Sequence, residues 1–208
     1  MGLFNEIKIK FLKKKRMRIG IDIDDTLAET THYIMPILVD FDKNSFNGNG
    51  IAFPNKKHMV AFDWSADEII RFRDSLVDED LLNIPPKKDA AKYVELLKKL
   101  GHEIIIITAR SDDYFTDPYK LSNDWLLKNN IIFDKLLVGC AKKGEICKEE
   151  RIDLMIDDSF GQASYIALNN KIPVLMPEDD YNKDKEAEGI RKVYSWEDIY
   201  NIIIELNK

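Results

Sequence analysis

This sequence has little cysteine, no long apolar run and no excess of basic residues. Cys140 and Cys147 are the two cysteines in 208 residues. That is too few for a disulfide framework, and no paired Cys/His spacing suggests a zinc site. We therefore expect two reduced thiols in a cytoplasmic protein. No run approaches the roughly 20 apolar residues that span a bilayer, so we expect no association with a membrane.

The charge balance argues against one class of partner. The formal net charge is −6, whereas proteins that bind nucleic acid polymers normally carry a basic face. A small phosphorylated substrate remains compatible, because a metal ion and one or two lysines can reverse the sign locally. Residues 1–17 are basic, but their charges follow the apolar residues, which is the opposite order to a secretory signal. We interpret them as an N-terminal extension.

The alternation of short apolar segments with amphipathic segments predicts the fold. Four consecutive isoleucines, Ile104–Ile107, are typical of a strand buried on both faces. Helical spacing before them predicts a helix that stops at Gly101. The predicted strands are 17–23, 103–108, 135–138, 154–156 and 173–176, and the predicted helices are 88–100, 118–129, 143–150, 161–169 and 195–206. This order implies an α/β fold in which helices sandwich a parallel sheet.

Residues 28–86 interrupt this alternation. The stretch is rich in aromatic residues but contains no clear buried strand. It is interpreted as mostly helical, with a loop near residues 46–54, and Pro85-Pro86 marks its end. Because it follows the first strand directly, we expect a small helical cap above the strand ends. The core would then consist of residues 18–27 and 87–208.

Polar side chains follow four of the predicted strands, at the edge of a parallel sheet where ligands bind. They are Asp22, Asp24 and Asp25 at the end of the first strand, Thr108-Ala109-Arg110 at the end of the second, Lys142 and Lys143 between the third strand and the next helix, and Asp157-Asp158 at the end of the fourth. Clustered carboxylates repel one another and resist burial unless a cation joins them. Oxygen ligands favour Mg²⁺, which with a lysine is typical equipment for phosphoryl transfer.

These motifs resemble those of the haloacid dehalogenase superfamily of phosphohydrolases. IGIDIDDTL, residues 19–27, is similar to the first motif of that family, and IIIIT, residues 104–108, to the second. Lys143 resembles the third motif, and IDD, residues 156–158, the fourth. All four occur in order, each at the end of a predicted strand. The resemblance implies a Rossmann-like core with a cap inserted after the first strand.

The resemblance also implies roles for individual residues. Asp22 matches the nucleophile that forms an aspartyl-phosphate, and Asp24 matches the general acid and base. Thr108 and Lys143 match the groups that hold the phosphoryl oxygens, although Lys142 could replace Lys143. Mg²⁺ would be bound by Asp22, by the backbone carbonyl of Asp24, and by Asp157 or Asp158.

Within the superfamily, the sequence resembles the 5'(3')-deoxyribonucleotidase group. The similarity lies in IDIDDTLAET, ITAR, KGEIC, IDLMIDDS and SWEDI. It implies a nucleoside monophosphate as substrate, with a sugar phosphate or another small metabolite as the alternative. Ala109 and Arg110 are further expected substrate contacts, although Arg110 could instead contact a neighbouring loop. Trp64 could stack on a nucleobase or belong to the core of the cap itself.

A phospho-accepting receiver domain is the alternative from a different class. Receivers also place aspartates, a threonine and a lysine on a parallel sheet. Their acidic pair, however, follows the first strand, whereas here Asp-x-Asp comes first and the acidic pair last.

The three histidines are scattered, and His102 lies in a predicted turn, where we expect it to be solvated.

Overall fold

The structure is a computed structural model that describes residues 16–76, 78–113 and 115–206. Most of the predicted N-terminal extension, residues 1–15, lies outside this range. The strands are β1 (Arg18–Ile21), β2 (Glu103–Ile107), β3 (Lys135–Leu137), β4 (Leu154–Ile156), β5 (Val174–Pro177) and β6 (Ile190–Val193). The α-helices are α1 (Thr30–Phe41), α2 (Ala66–Ser75), α3 (Asp78–Leu82), α4 (Ala90–Lys99), α5 (Pro118–Lys128), α6 (Lys143–Glu149), α7 (Phe160–Asn170) and α8 (Trp196–Leu206).

The six strands form one parallel sheet in the order β3-β2-β1-β4-β5-β6. β1 lies between β2 and β4, with Ile21 paired to both Ile106 and Ile156. Residues that follow these three strands are therefore neighbours at one edge of the sheet. Gly20 permits close packing on β1, because a Cβ there would lie 2.6 Å from Sδ of Met155.

The four isoleucines of β2 explain how both faces of the sheet are covered. Ile104 and Ile106 belong to a core with side chains of α4, α5 and α8, whereas Ile105 and Ile107 belong to a second core with α6 and α7. All four are fully buried. The predicted parallel α/β sandwich is therefore confirmed.

The insertion between β1 and β2 contains helices and loops, without a strand among its described residues. It comprises α1, a π-helical extension (Asp42–Phe46), a short 3₁₀-helix (His58–Ala61), α2 and α3. Its own core is formed by Leu38, Ala61, Phe62 and Phe72. Ala28 and Pro86 form an isolated bridge, so the chain leaves and re-enters the core at adjacent points.

Two expectations from the sequence were wrong. The strand β6 was missed because Arg191 and Lys192 leave little apolar pattern in a four-residue edge strand. His102 was expected to be solvated, yet it is 3% exposed, and its Nδ1 accepts a hydrogen bond from the backbone N–H of Met17 at 3.1 Å. Among the described residues, no helix combines the length and apolar character needed to cross a membrane.

Candidate active site

A cleft of about 680 Å³ lies between the carboxyl edge of the sheet and the insertion. Asp22, Asp24, Lys143 and Asp158 line its polar end. The insertion supplies an apolar wall formed by Ile34, Met59, Val60, Phe72, Leu76 and Leu81. The cleft is thus charged at one end and apolar at the other, within the size range of small-molecule sites.

Asp22 lies at the centre of the polar end because β1 is the central strand. Its backbone N–H donates to the carbonyl of Ile156 at 3.0 Å, which fixes the residue beside the end of β4. Its Oδ1 lies 2.8 Å from Nζ of Lys143. Burial raises the pKa of Asp22 to about 8, against the opposing charge of Lys143. The ionised form of Asp22 therefore needs more positive charge than the lysine provides.

Lys143 joins two strand ends through its ammonium group. It is the first residue of α6 and is 3% exposed, and its Nζ also lies 2.6 Å from Oδ2 of Asp157. These carboxylates raise the pKa of the lysine, although burial acts in the opposite direction. The side chain of Lys142 is 79% exposed and lies 3.7 Å from Glu145 instead. The structure therefore brings Lys143, and not Lys142, to the cleft.

Asp157 and Asp158 follow β4 but face different partners. Oδ1 of Asp157 accepts the backbone N–H of Ser159 at 2.9 Å, just before α7. Oδ2 of Asp158 accepts the hydroxyl of Tyr181 at 2.8 Å and an ion pair from Lys57. Its Oδ1 has a longer contact of 3.4 Å with the hydroxyl of Thr26. Single carboxylate oxygens of Asp22, Asp157 and Asp158 all lie within 4.8 Å of one another.

Asp24 is held by a fork of two hydrogen bonds from Arg110. Nε of Arg110 donates to Oδ2 at 2.9 Å, and Nη2 donates to Oδ1 at 2.8 Å. The hydroxyl of Thr30 donates to Oδ1 as well. Burial acts to raise the pKa of Asp24, but Arg110 outweighs it and the pKa is lowered. Nη1 of Arg110 is buried without a hydrogen-bond partner among the described residues.

Two predicted substrate contacts do not reach the cleft. Thr108 is fully buried after β2, and its Oγ1 accepts the backbone N–H of Arg110 at 3.3 Å; Ala109 and Arg110 line the cleft instead. Trp64 packs inside the insertion, stacked on Phe62 with ring centroids 4.7 Å apart. Its indole N–H donates to Asp42 at 2.6 Å. Trp64 therefore belongs to the core of the insertion, because the cluster of phenylalanines there buries its ring.

Three residues near the site were not identified from the sequence. Lys57 and His58 reach Asp25 from the insertion, at 3.0 and 3.2 Å, and Tyr181 reaches Asp158 from the loop after β5. The strand-end rule could have found Tyr181, because its loop follows β5. No sequence signal shows that the insertion folds back onto Asp25.

The two adjacent lysines provide a matched test of stability. We expect Lys143→Met to lower the free energy of unfolding by about 3 kcal/mol, because buried carboxylates lose their partner. Lys142→Met should change it by less than about 0.5 kcal/mol, because its side chain is exposed. Urea unfolding of both variants in chelator measures the difference. Equal effects of the two substitutions would contradict the buried ion pair.

This chain is similar to several known proteins in sequence and in fold. No protein-family model matches the chain. "Putative nucleotidase YqfW" of Bacillus subtilis is 29% identical over 188 residues, which cover 86% of this chain and 90% of that protein. A crystal structure described as a predicted phosphatase from Clostridium acetobutylicum superposes with a TM-score of 0.66 at 15% identity, covering 92% of this chain and all of that one.

A third relative carries the name of the superfamily. The structure described as the putative HAD-hydrolase YfnB from Bacillus subtilis bound to magnesium has a TM-score of 0.61 at 14% identity. The match covers 91% of this chain and 100% of that chain. The solved structures have the same fold as this chain, and the alignment with the Bacillus subtilis putative nucleotidase covers most of both sequences. The chain therefore has the fold of these hydrolases and resembles a putative nucleotidase along most of its sequence, which confirms the predicted fold and agrees with the predicted class of enzyme.

Proposed function

We propose that this protein is a Mg²⁺-dependent phosphatase that acts through an aspartyl-phosphate on Asp22, with nucleoside monophosphates as substrates. The observation that carries the proposal is the position of Asp22, in the cleft beside a buried ammonium and two further carboxylates. These side chains combine a nucleophile with a cation that can bind the oxygens of a phosphoryl group.

The donor set fits a divalent cation. Three buried carboxylates lie together, two of them share the ammonium of Lys143, and hard oxygen ligands are those that Mg²⁺ prefers. We assign Asp22, the backbone carbonyl of Asp24, and Asp158 as ligands, because Oδ1 of Asp158 has only a long contact. Asp157 would orient Lys143. A bound Mg²⁺ would supply positive charge to the phosphoryl oxygens and to Asp22.

The chain's own residues would carry two displacements. In the first, a carboxylate oxygen of Asp22 forms a bond to phosphorus while the ester P–O bond breaks, and Asp24 gives its proton to the leaving oxygen. In the second, Asp24 takes a proton from water as the water oxygen attacks phosphorus, which releases phosphate and restores Asp22. Lys143 would hold the phosphoryl oxygens.

Arg110 sets a condition for the first step. In the structure, its guanidinium keeps Asp24 in the ionised form, which is suited to the second step. Asp24 can act as an acid only if it gains a proton. Because phosphate competes strongly for guanidinium, we infer that an incoming substrate loosens this pair and engages Nη1 of Arg110.

The shape of the cleft supports an ester with an apolar or planar group. We assign residues 28–86 as the cap, and 18–27 with 87–208 as the core. The apolar side chains of the cap lie opposite the carboxylates and could accommodate a nucleobase. A sugar phosphate would leave this apolar wall unused.

A substrate panel tests this choice. We expect phosphate release from deoxynucleoside or ribonucleoside monophosphates to exceed release from sugar phosphates by at least about tenfold in kcat/KM, because burying a base on an apolar wall contributes 1.4 kcal/mol or more. Phosphate release at a fixed enzyme concentration is the measurement. Release from sugar phosphates alone would reject the nucleotide assignment and keep the chemistry.

A further inference from the structure

Lys57 is a cation that the cap carries to the carboxylate cluster. It lies in extended backbone just before the 3₁₀-helix, on the loop between α1 and α2. Its Nζ forms ion pairs with Asp25, at 3.0 Å, and with Asp158. The ammonium thus crosses from the cap to the end of β4, where the candidate cation ligands meet.

The surroundings of Lys57 form a complete site for one positive charge. Two buried carboxylates, Asp25 and Asp158, bind the ammonium, and the ring of Tyr181 lies below it at 4.7 Å from Nζ to the centroid. The hydroxyl of the same tyrosine donates to Oδ2 of Asp158, the oxygen that Lys57 also binds. An aromatic face beside two carboxylates is a favourable environment for an ammonium.

Asp158 would therefore bind two different cations. It is a candidate ligand of the divalent ion and the partner of Lys57. Two positive charges that share one carboxylate repel each other, and the repulsion is stronger in a partly desolvated cleft than in water. Either the ammonium or the divalent ion gains Asp158 at the expense of the other.

We propose that the ammonium of Lys57 competes with the divalent cation for Asp158. Lys57, which the cap supplies, would then balance the charge of Asp158 when the divalent cation is not bound there. The proposal rests on the proposed metal site. It gives the cap a role beyond the shape of the cleft, because cation loading weakens a contact between cap and core. A phosphate dianion would add negative charge beside the cation and favour the return of Lys57.

Cation binding without substrate tests the competition. Titration calorimetry with Mn²⁺ is performed on the wild type, Lys57→Met, Lys57→Arg and Lys56→Met. We expect Lys57→Met to bind Mn²⁺ about tenfold more tightly, because one adjacent positive charge is removed. Lys57→Arg keeps that charge and should bind like the wild type. Lys56→Met, the matched control on an exposed neighbouring lysine, should also bind like the wild type.

The outcomes separate this inference from the proposed function. Equal or weaker Mn²⁺ binding by Lys57→Met, in a variant whose thermal unfolding is cooperative, would overturn the competition while the metal site stands. Tighter binding by Lys56→Met to the same extent would overturn it as well, because the effect would then be one of general charge. Absence of binding in both the wild type and Lys57→Met would refute the metal site itself.

Discussion

Asp22→Asn is expected to lower turnover of an aryl phosphate by more than about a thousandfold, because an amide cannot replace the carboxylate nucleophile. The fold should persist. Asparagine has nearly the same shape, and Lys143 keeps its ion pair with Asp157 at 2.6 Å. Removing a carboxylate whose pKa is raised by burial should not lower the free energy of unfolding. Initial rates and urea unfolding, measured on the same preparation, test both statements.

A surface carboxylate provides the control for Asp22→Asn. Asp124 lies on α5, paired with Lys120 at the surface, and Asp124→Asn makes the same chemical change at a residue that does not line the cleft. We expect this variant to keep the wild-type rate. If Asp22→Asn retained more than about a tenth of the wild-type activity, Asp22 could not be the nucleophile.

Removal of divalent cations is the second change with a large expected effect. Treatment with EDTA should abolish turnover, and Mg²⁺ should restore it. The reason is that Asp22, Asp157 and Asp158 cluster within 4.8 Å. Lys143 is shared by Asp22 and Asp157, and Lys57 is shared by Asp158 and Asp25, which leaves an excess of negative charge where a phosphate dianion must bind. The measurement is the rate of phosphate release before and after each addition.

Calcium provides the matched comparison for magnesium. Ca²⁺ has the same charge but requires longer bonds and more ligands than Mg²⁺. We expect Ca²⁺ to bind without restoring the rate, because the phosphoryl oxygens would be held at the wrong distance. Full activity in chelator would refute a catalytic cation, and equal rescue by both ions would show that charge alone matters.

The sequence predicted the core of the site because the geometry of parallel sheets is general. A strand such as Ile104–Ile107 is recognisable without its neighbours, and residues after parallel strands converge at one edge. That rule places Asp22, Arg110, Lys143 and Asp158 at one edge of the sheet from the sequence alone. It does not depend on the details of side-chain packing.

Predictions failed where the outcome depended on contacts between distant segments. Trp64 has the same aromatic character whether it faces a substrate or packs on Phe62, and only the fold of the insertion decides between the two. Likewise, the sequence gives no reason for Lys57 to lie on Asp158, 101 residues away. His102 looks like a turn residue, yet the backbone of Met17 supplies the partner that makes its burial favourable.

The central claim is that a phosphoryl group is transferred to Asp22, and trapping that intermediate tests it most directly. A ³²P-labelled phosphate ester would be mixed with enzyme and Mg²⁺, quenched in acid within one turnover, and the labelled peptides mapped. We predict a hydroxylamine-labile label on the peptide that contains Asp22, absent from Asp22→Asn. Turnover without a labelled enzyme, or a label on another residue, would contradict the account.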